Sequence, residues 1–178
     1  KDCDVEVDID IRDMPLDDTL QAALGGAVLK TYKSLHPTGS VQSATVKLRQ
    51  SGGKPMTYDI AASLAGMSLC YDAFPYPITD MSGQLEVQTD VFRLRHLSGR
   101  NAQSEITAEV LAKPVGQALG IELDASGRGV LLDKALYDAI PPAARRVWDM
   151  LAPAGRSDLH LKLRSDMPDQ APGVVDYR

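Results

Sequence analysis

A chain of 178 residues with a 44% hydrophobic fraction suits one ordinary domain, or one long repeat and part of a second, and excludes disorder as its default state. Its net charge of −5 arises from interspersed acids and bases with no block of like charges, which excludes the basic footprint of a nucleic-acid-binding protein. No apolar stretch approaches the ~20 residues needed to cross a bilayer, so any membrane attachment is expected through parts outside these residues. Aromatics supply only 5%, with one Trp and two Phe, which points to thin layers of Leu, Ile, Val and Ala. The chain starts at Lys1, and processing or excision is the expected reason. Cys3 and Cys70 stand apart without a CxxC motif, as a disulfide or as two ordinary thiols.

In chain order, Val5, Val7, Ile9 and Ile11 alternate with polar residues and predict a half-buried strand. Asp17 stands where a helix N-cap belongs, and Leu16, Leu20, Leu24, Ala27, Tyr32 and Leu35 give one apolar helical face. Gly25-Gly26 interrupts that helix and predicts a kink, and Pro37-Thr38-Gly39 ends it. Thr45 to Arg49 and Thr57 to Leu69 flank the turn SGGKP and predict a hairpin. The alternation then shifts to Met67, Leu69 and Tyr71, which predicts a bulge near Gly66. Phe74-Pro75-Tyr76-Pro77 reads as a stiff connector between strands or as a docking motif of the polyproline type. Met81, Gly83, Leu85 and Val87 form the next strand. Thr89-Asp90 is a turn, Phe92 and Leu94 follow, and Ile106, Ala108 and Val110 complete an antiparallel meander.

The opening pattern then returns. Shifting by 116 positions lays Val5 to Gly39 onto Ile121 to Gly155 without a gap. Eleven identities result, at Glu6/Glu122, Asp8/Asp124, Arg12/Arg128, Leu16/Leu132, Asp17/Asp133, Leu20/Leu136, Ala23/Ala139, Ala27/Ala143, Leu35/Leu151, Pro37/Pro153 and Gly39/Gly155. Average usage would give about two. Pro141-Pro142 replaces Gly25-Gly26 at the interruption, Trp148 replaces Tyr32, and Leu161 to Arg164 answers Val46 to Arg49 one residue out of step. The expected organisation is a helix-plus-β-meander repeat over 1–115, the start of a second repeat (strand, kinked helix, strand) over 116–166, and a tail or linker over 167–178. Because the pattern stops within its second copy, a longer parent chain is expected. The fold class is α+β: a curved, twisted, groove-like antiparallel sheet with one kinked amphipathic helix per repeat of about 116 residues.

Chemical motifs are explained by structure instead. His36, His96 and His160 are widely separated and lack an HExxH or HxH pattern. The GRG at Gly127 to Gly129 lacks the Lys-Ser or Lys-Thr of a phosphate loop and reads as a turn. Asp17 and Asp18 fit a helix cap, and Asp8 and Asp10 the solvent side of a strand. Trp148 and Tyr32 read as residues packing the helix on the sheet. No catalytic residue, metal site or cofactor is expected. The apolar strand positions are the candidate site: Ile60, Ala62, Leu64, Leu85, Val87, Leu94, Ile106, Ala108, Val110, Leu159, Leu161 and Leu163. They form either the layer between sheet and helices or an open trough that shelters acyl chains.

The segment Phe74 to Val110 resembles the AsmA-like superfamily of bacterial envelope proteins, through Pro77, Asp80, Gly83, Leu85, Val87, Leu94, Leu97, Gly99 and Ile106. Leu131 to Leu163 is similar to the helical insert that some long members carry before a new strand. The resemblance implies an elongated β-groove of the bridge-like lipid-transfer type. The chain would be a non-catalytic lipid-binding or lipid-conduit segment of a larger envelope protein, engaged in phospholipid transport or outer-membrane biogenesis. It further implies a periplasmic or envelope location, phospholipid acyl chains as ligand, and neighbouring repeats of the parent chain as partners. The alternative is a structural or protein-interaction β-repeat without bound lipid.

Overall fold

A computed structural model describes residues 4–24, 26–89, 91–115 and 118–165. Cys3, Gly25, Asp90 and the expected tail at 167–178 lie outside the described residues. Among the described residues the architecture is α+β: one open eight-stranded antiparallel sheet with strands in chain order, plus four short helices. The strands are β1 (Val5–Pro15), β2 (Thr38–Gln50), β3 (Thr57–Tyr71), β4 (Phe74–Gln88), β5 (Val91–Asn101), β6 (Ser104–Val115), β7 (Ala118–Leu131) and β8 (Arg156–Ser165). Helices α1 (Asp18–Ala23) and α2 (Gly26–Leu35) lie between β1 and β2; α3 (Lys134–Ala139) and α4 (Pro142–Leu151) lie between β7 and β8.

The bounds of α1 and α2 and the end of β1 recur 116 residues later in α3, α4 and β7, which starts three residues earlier than β1 does, and so do the details. Asp17 caps α1 by accepting from the amides of Thr19 and Leu20 at 2.9 and 3.0 Å, and Asp133 caps α3 by accepting from that of Leu136 at 3.1 Å. The kink expected to join two short helical pieces is a full break, so each copy carries two separate helices. Leu24 and Ile140 adopt extended backbone (ψ 146° and 151°), which breaks the helix outright. Left-handed residues match too, at Asp13/Gly129, His36/Ala152 and Gly39/Gly155. The excursion ends where it began: the Leu16 amide donates to the Gly39 carbonyl at 3.0 Å, and that of Leu132 to Gly155 at 2.9 Å.

Strand interruptions form a band across the sheet. Registers shift between Val41 and Ser43, Leu64 and Met67, Thr79 and Ser82, Leu94 and Leu97, and Gly127 and Val130. Left-handed Gly66, Asp80, His96 and Gly129 sit inside four of these gaps. The bulge expected near Gly66 is among them, whereas the expected turn at Gly127 to Gly129 is a bulge inside β7, since β7 runs on to Leu131. Phe74 to Pro77 is likewise the start of β4 and not a connector, and its Tyr76 is 4% exposed.

Two small clusters form the core, and the first of them holds α3 and α4 to the sheet. Tyr76, Val130, Leu136 and Ala139 form one, with Ile106, Leu132, Ile140 and Trp148 around it. Val41, Ala44 and Ala62 form the other, with Ile11, Met14, Leu16, Leu64 and Leu85 against it. Trp148 therefore packs, and its ring meets Tyr137 edge-on with centroids 5.9 Å apart. The helices attach at the sheet end that carries the β3–β4 hairpin. There the Asp72 amide donates to the Ser34 carbonyl at 2.9 Å, and α3 touches β4.

Candidate functional site

Cross-strand register decides which side chains share a face, because residues directly opposite each other point the same way. One row runs Ile9, Val46, Ile60, Val87, Phe92, Ala112, Ile121 across seven strands. The next runs Ile11, Ala44, Ala62, Leu85, Leu94, Val110, Leu123, Leu163 across all eight. Leu97, Ala108, Ala125 and Leu161 make a third across the later strands, and Gly99, Ile106, Gly127 and Leu159 a fourth. Leu64, two residues beyond Ala62 on β3, points to this side as well. All twelve sequence-derived candidates thus fall on one face of one sheet.

That face is covered unevenly. Ala62 is buried, and Leu64, Leu85 and Ile106 touch the helix-side clusters. Away from the helices, Ile9 is 42% exposed, Leu161 and Tyr58 39%, and Phe92 36%; Leu159, on the rung of Ile106 in the last strand, is 42% exposed. Isolated surface leucines need no explanation, but neighbouring exposed apolar residues on successive strands make a patch. Val7, Leu48, Tyr58, Val46, Phe92 and Ile121 belong to it and are not among the sequence-derived candidates. Their alternation is legible in the sequence, but only register places them beside the others.

The reverse face is charged. Glu86 lies 3.8 Å from Arg93 and 3.6 Å from Arg95; Asp124 lies 3.2 Å from Lys162 and 3.4 Å from His160. Lys113–Glu122 and Arg128–Glu105 each span 3.8 Å between β6 and β7. These exposed pairs add little stability, and their consequence is that this side stays in water. Asp10 accepts from the Thr45 hydroxyl at 3.0 Å, as a strand's solvent side would. A shallow concavity of about 360 Å³ at the hairpin ends is edged by Lys47, Arg49, Asp59 and Gln88.

The titratable groups hold structural positions. His36 Nε2 meets Asp72 at 2.8 Å beside the α2 terminus, and His160 Nδ1 meets the Ser126 hydroxyl at 2.9 Å. The His96 amide donates to Glu109 at 2.8 Å at its bulge. Burial raises the Tyr76 phenol above its ordinary 10.0, against a hydrogen bond with Ser104 that lowers it. Among the described residues no three His, Cys, Asp or Glu side chains gather as a metal site would require, and no helix is long and apolar enough to cross a membrane. Comparison with protein-family models, curated proteins and solved structures returned no match.

Proposed function

We propose that this chain is a non-catalytic lipid-binding segment of a larger cell-envelope protein, with acyl chains lying on the apolar sheet face. The observation that carries this reading is the pair of unbroken apolar rows, exposed where the helices end and backed by a charged face. An acyl chain needs no directional partner there, and each methylene removed from water contributes about 0.8 kcal/mol. The band of bulges supports a curved, groove-like sheet, because each bulge bends its strand and increases local twist. The resemblance of Phe74 to Val110 to the AsmA-like superfamily supports an envelope setting, phospholipid as the lipid class and a place in outer-membrane biogenesis.

The test places a photo-crosslinking amino acid at Phe92, on the apolar face, or at Arg93, its neighbour on the charged face. The protein is then exposed to phospholipid vesicles and analysed by mass spectrometry. Lipid adducts at position 92 and not at 93 are expected. Equal labelling at both, together with no lipid in solvent extracts of the purified protein, would sink the reading.

A further inference from the structure

On the charged face, four acids pair with the base directly opposite: Glu6 with Arg49 at 2.8 Å, and Glu86 with Arg93, Glu105 with Arg128 and Asp124 with Lys162 within 3.8 Å. Lys47 and Asp59, in the middle of the chain's first hairpin, are also directly opposite and do not close. Lys47 faces Asp8 on its other side and does not reach that either. Among the described residues neither Lys47 nor Asp59 has a hydrogen-bond or ion-pair partner. Both line the concavity of about 360 Å³ at the hairpin ends, with Thr57, Gln88 and Thr89. The Thr57 hydroxyl donates to the Arg49 carbonyl at 3.2 Å, and Thr89 Oγ1 accepts from the Tyr58 amide at 3.3 Å.

A base and an acid left open across one ladder suit a ligand that carries both charges. Asp8 beside Lys47 counts against a ligand with negative charge alone. The concavity also meets the apolar face. Tyr58 lines it, stands opposite Leu48 in the apolar pattern, and is one residue from the start of β3, so a molecule can turn over the strand end there. Resting on the lipid reading above, we propose that this concavity holds a phosphoethanolamine headgroup, its phosphate on Lys47 and its ammonium on Asp59, with the acyl chains passing Tyr58 onto the apolar face. Directly opposed residues lie roughly 5 Å apart at Cα, and the ethylene bridge of the headgroup holds its two charges at a comparable separation. A primary ammonium donates hydrogen bonds to a carboxylate, which a trimethylammonium cannot do, and a glycerol headgroup offers Asp59 no positive charge. Phosphatidylethanolamine is therefore favoured over phosphatidylcholine, and both over phosphatidylglycerol.

The experiment titrates the full chain with these three phospholipids, each carrying the same fluorescent acyl chain, and with a diacylglycerol carrying that chain. Phosphatidylethanolamine should bind about two- to fivefold more tightly than phosphatidylglycerol, the contribution of an exposed ion pair. Asp59→Asn should remove that preference by weakening phosphatidylethanolamine and not phosphatidylglycerol. Lys47→Gln should weaken all three phospholipids by about two- to fivefold and leave diacylglycerol unchanged. Both side chains are exposed, so the variants keep the fold, which circular dichroism checks. Equal affinity for the three headgroups, or a preference that survives Asp59→Asn, overturns the headgroup site and leaves the acyl reading standing. Binding of none of these lipids overturns both. Glycerophosphoethanolamine, the soluble headgroup, should compete only in roughly a hundredfold excess, because it lacks every methylene that the apolar face shelters. Competition at the lipid's own concentration would assign the concavity to a soluble zwitterion and overturn the proposal too.

Discussion

Replacing Leu161 with glutamate tests the open face most directly. At 39% exposure, Leu161 offers roughly 70 Å² of its surface to whatever lies on the sheet, and at ~25 cal/mol per Å² that contact contributes about 1.7 kcal/mol. Acyl binding should therefore weaken about fifteenfold, or more because a carboxylate resists desolvation. Folding is affected less. The side chain is already partly shielded by its strand neighbours, glutamate retains the methylene stem, and its head reaches water, so the loss is about 1–2 kcal/mol and the Tm falls by roughly 2–8 °C. Thermal unfolding by circular dichroism and titration with a fluorescent phospholipid measure the two quantities separately. A protein that fails to fold would place Leu161 inside a sealed layer, and a folded protein with unchanged lipid affinity would remove this face from the binding site. Leu85→Glu is a poorer choice, because Leu85 also packs on the Val41–Ala44–Ala62 cluster.

Loss of the α3 cap by Asp133→Ala should lower stability by about 1 kcal/mol, and Asp17→Ala by a similar amount, read by urea denaturation. Leu136→Ala, at a position 5% exposed beneath α3, should cost about 2–4 kcal/mol and release the helical pair, seen as lost hydrogen-exchange protection in α3 and α4 while β2 and β3 stay protected. A Cβ at Gly127 would meet Val130 Cγ2 at 2.5 Å, so Gly127→Ala should destabilise by about 1–3 kcal/mol in the same denaturation assay. Burial raises the Tyr76 phenol, so the folded state keeps that proton longer than the unfolded chain does. Its contribution is fully present below the phenol's ordinary value of 10.0 and is lost as pH rises above it, a dependence that Tyr76→Phe should remove from alkaline unfolding curves.

Local signals of known geometry were readable from sequence. Strand alternation, the caps at Asp17 and Asp133, the bulge at Gly66 and the recurrence at 116 residues each rest on a rule linking residue type to backbone. Departures came where tertiary context overrode such rules. Asp80 and His96 adopt left-handed backbone without glycine, and nothing in their neighbours announces it. Pro75 and Pro77 suggested a connector, but the strand start tolerates them and Tyr76 anchors it in the core. The candidate residues were found as apolar positions, yet their union on one face depends on pairing between distant strands. How far α3 reaches across the sheet to β4 is not encoded in any single segment.

The hydrogen bonds from Leu16 to Gly39 and from Leu132 to Gly155 make each helical excursion a detachable module. The chain departs from the sheet and re-enters it at the same rung, so the twenty or so intervening residues act as an appendage clipped to a hairpin. Shortening that appendage to a tight turn would leave the ladder between its flanking strands intact. Lineages or designers are therefore free to trim, lengthen or exchange the lid over this end without renegotiating the scaffold beneath.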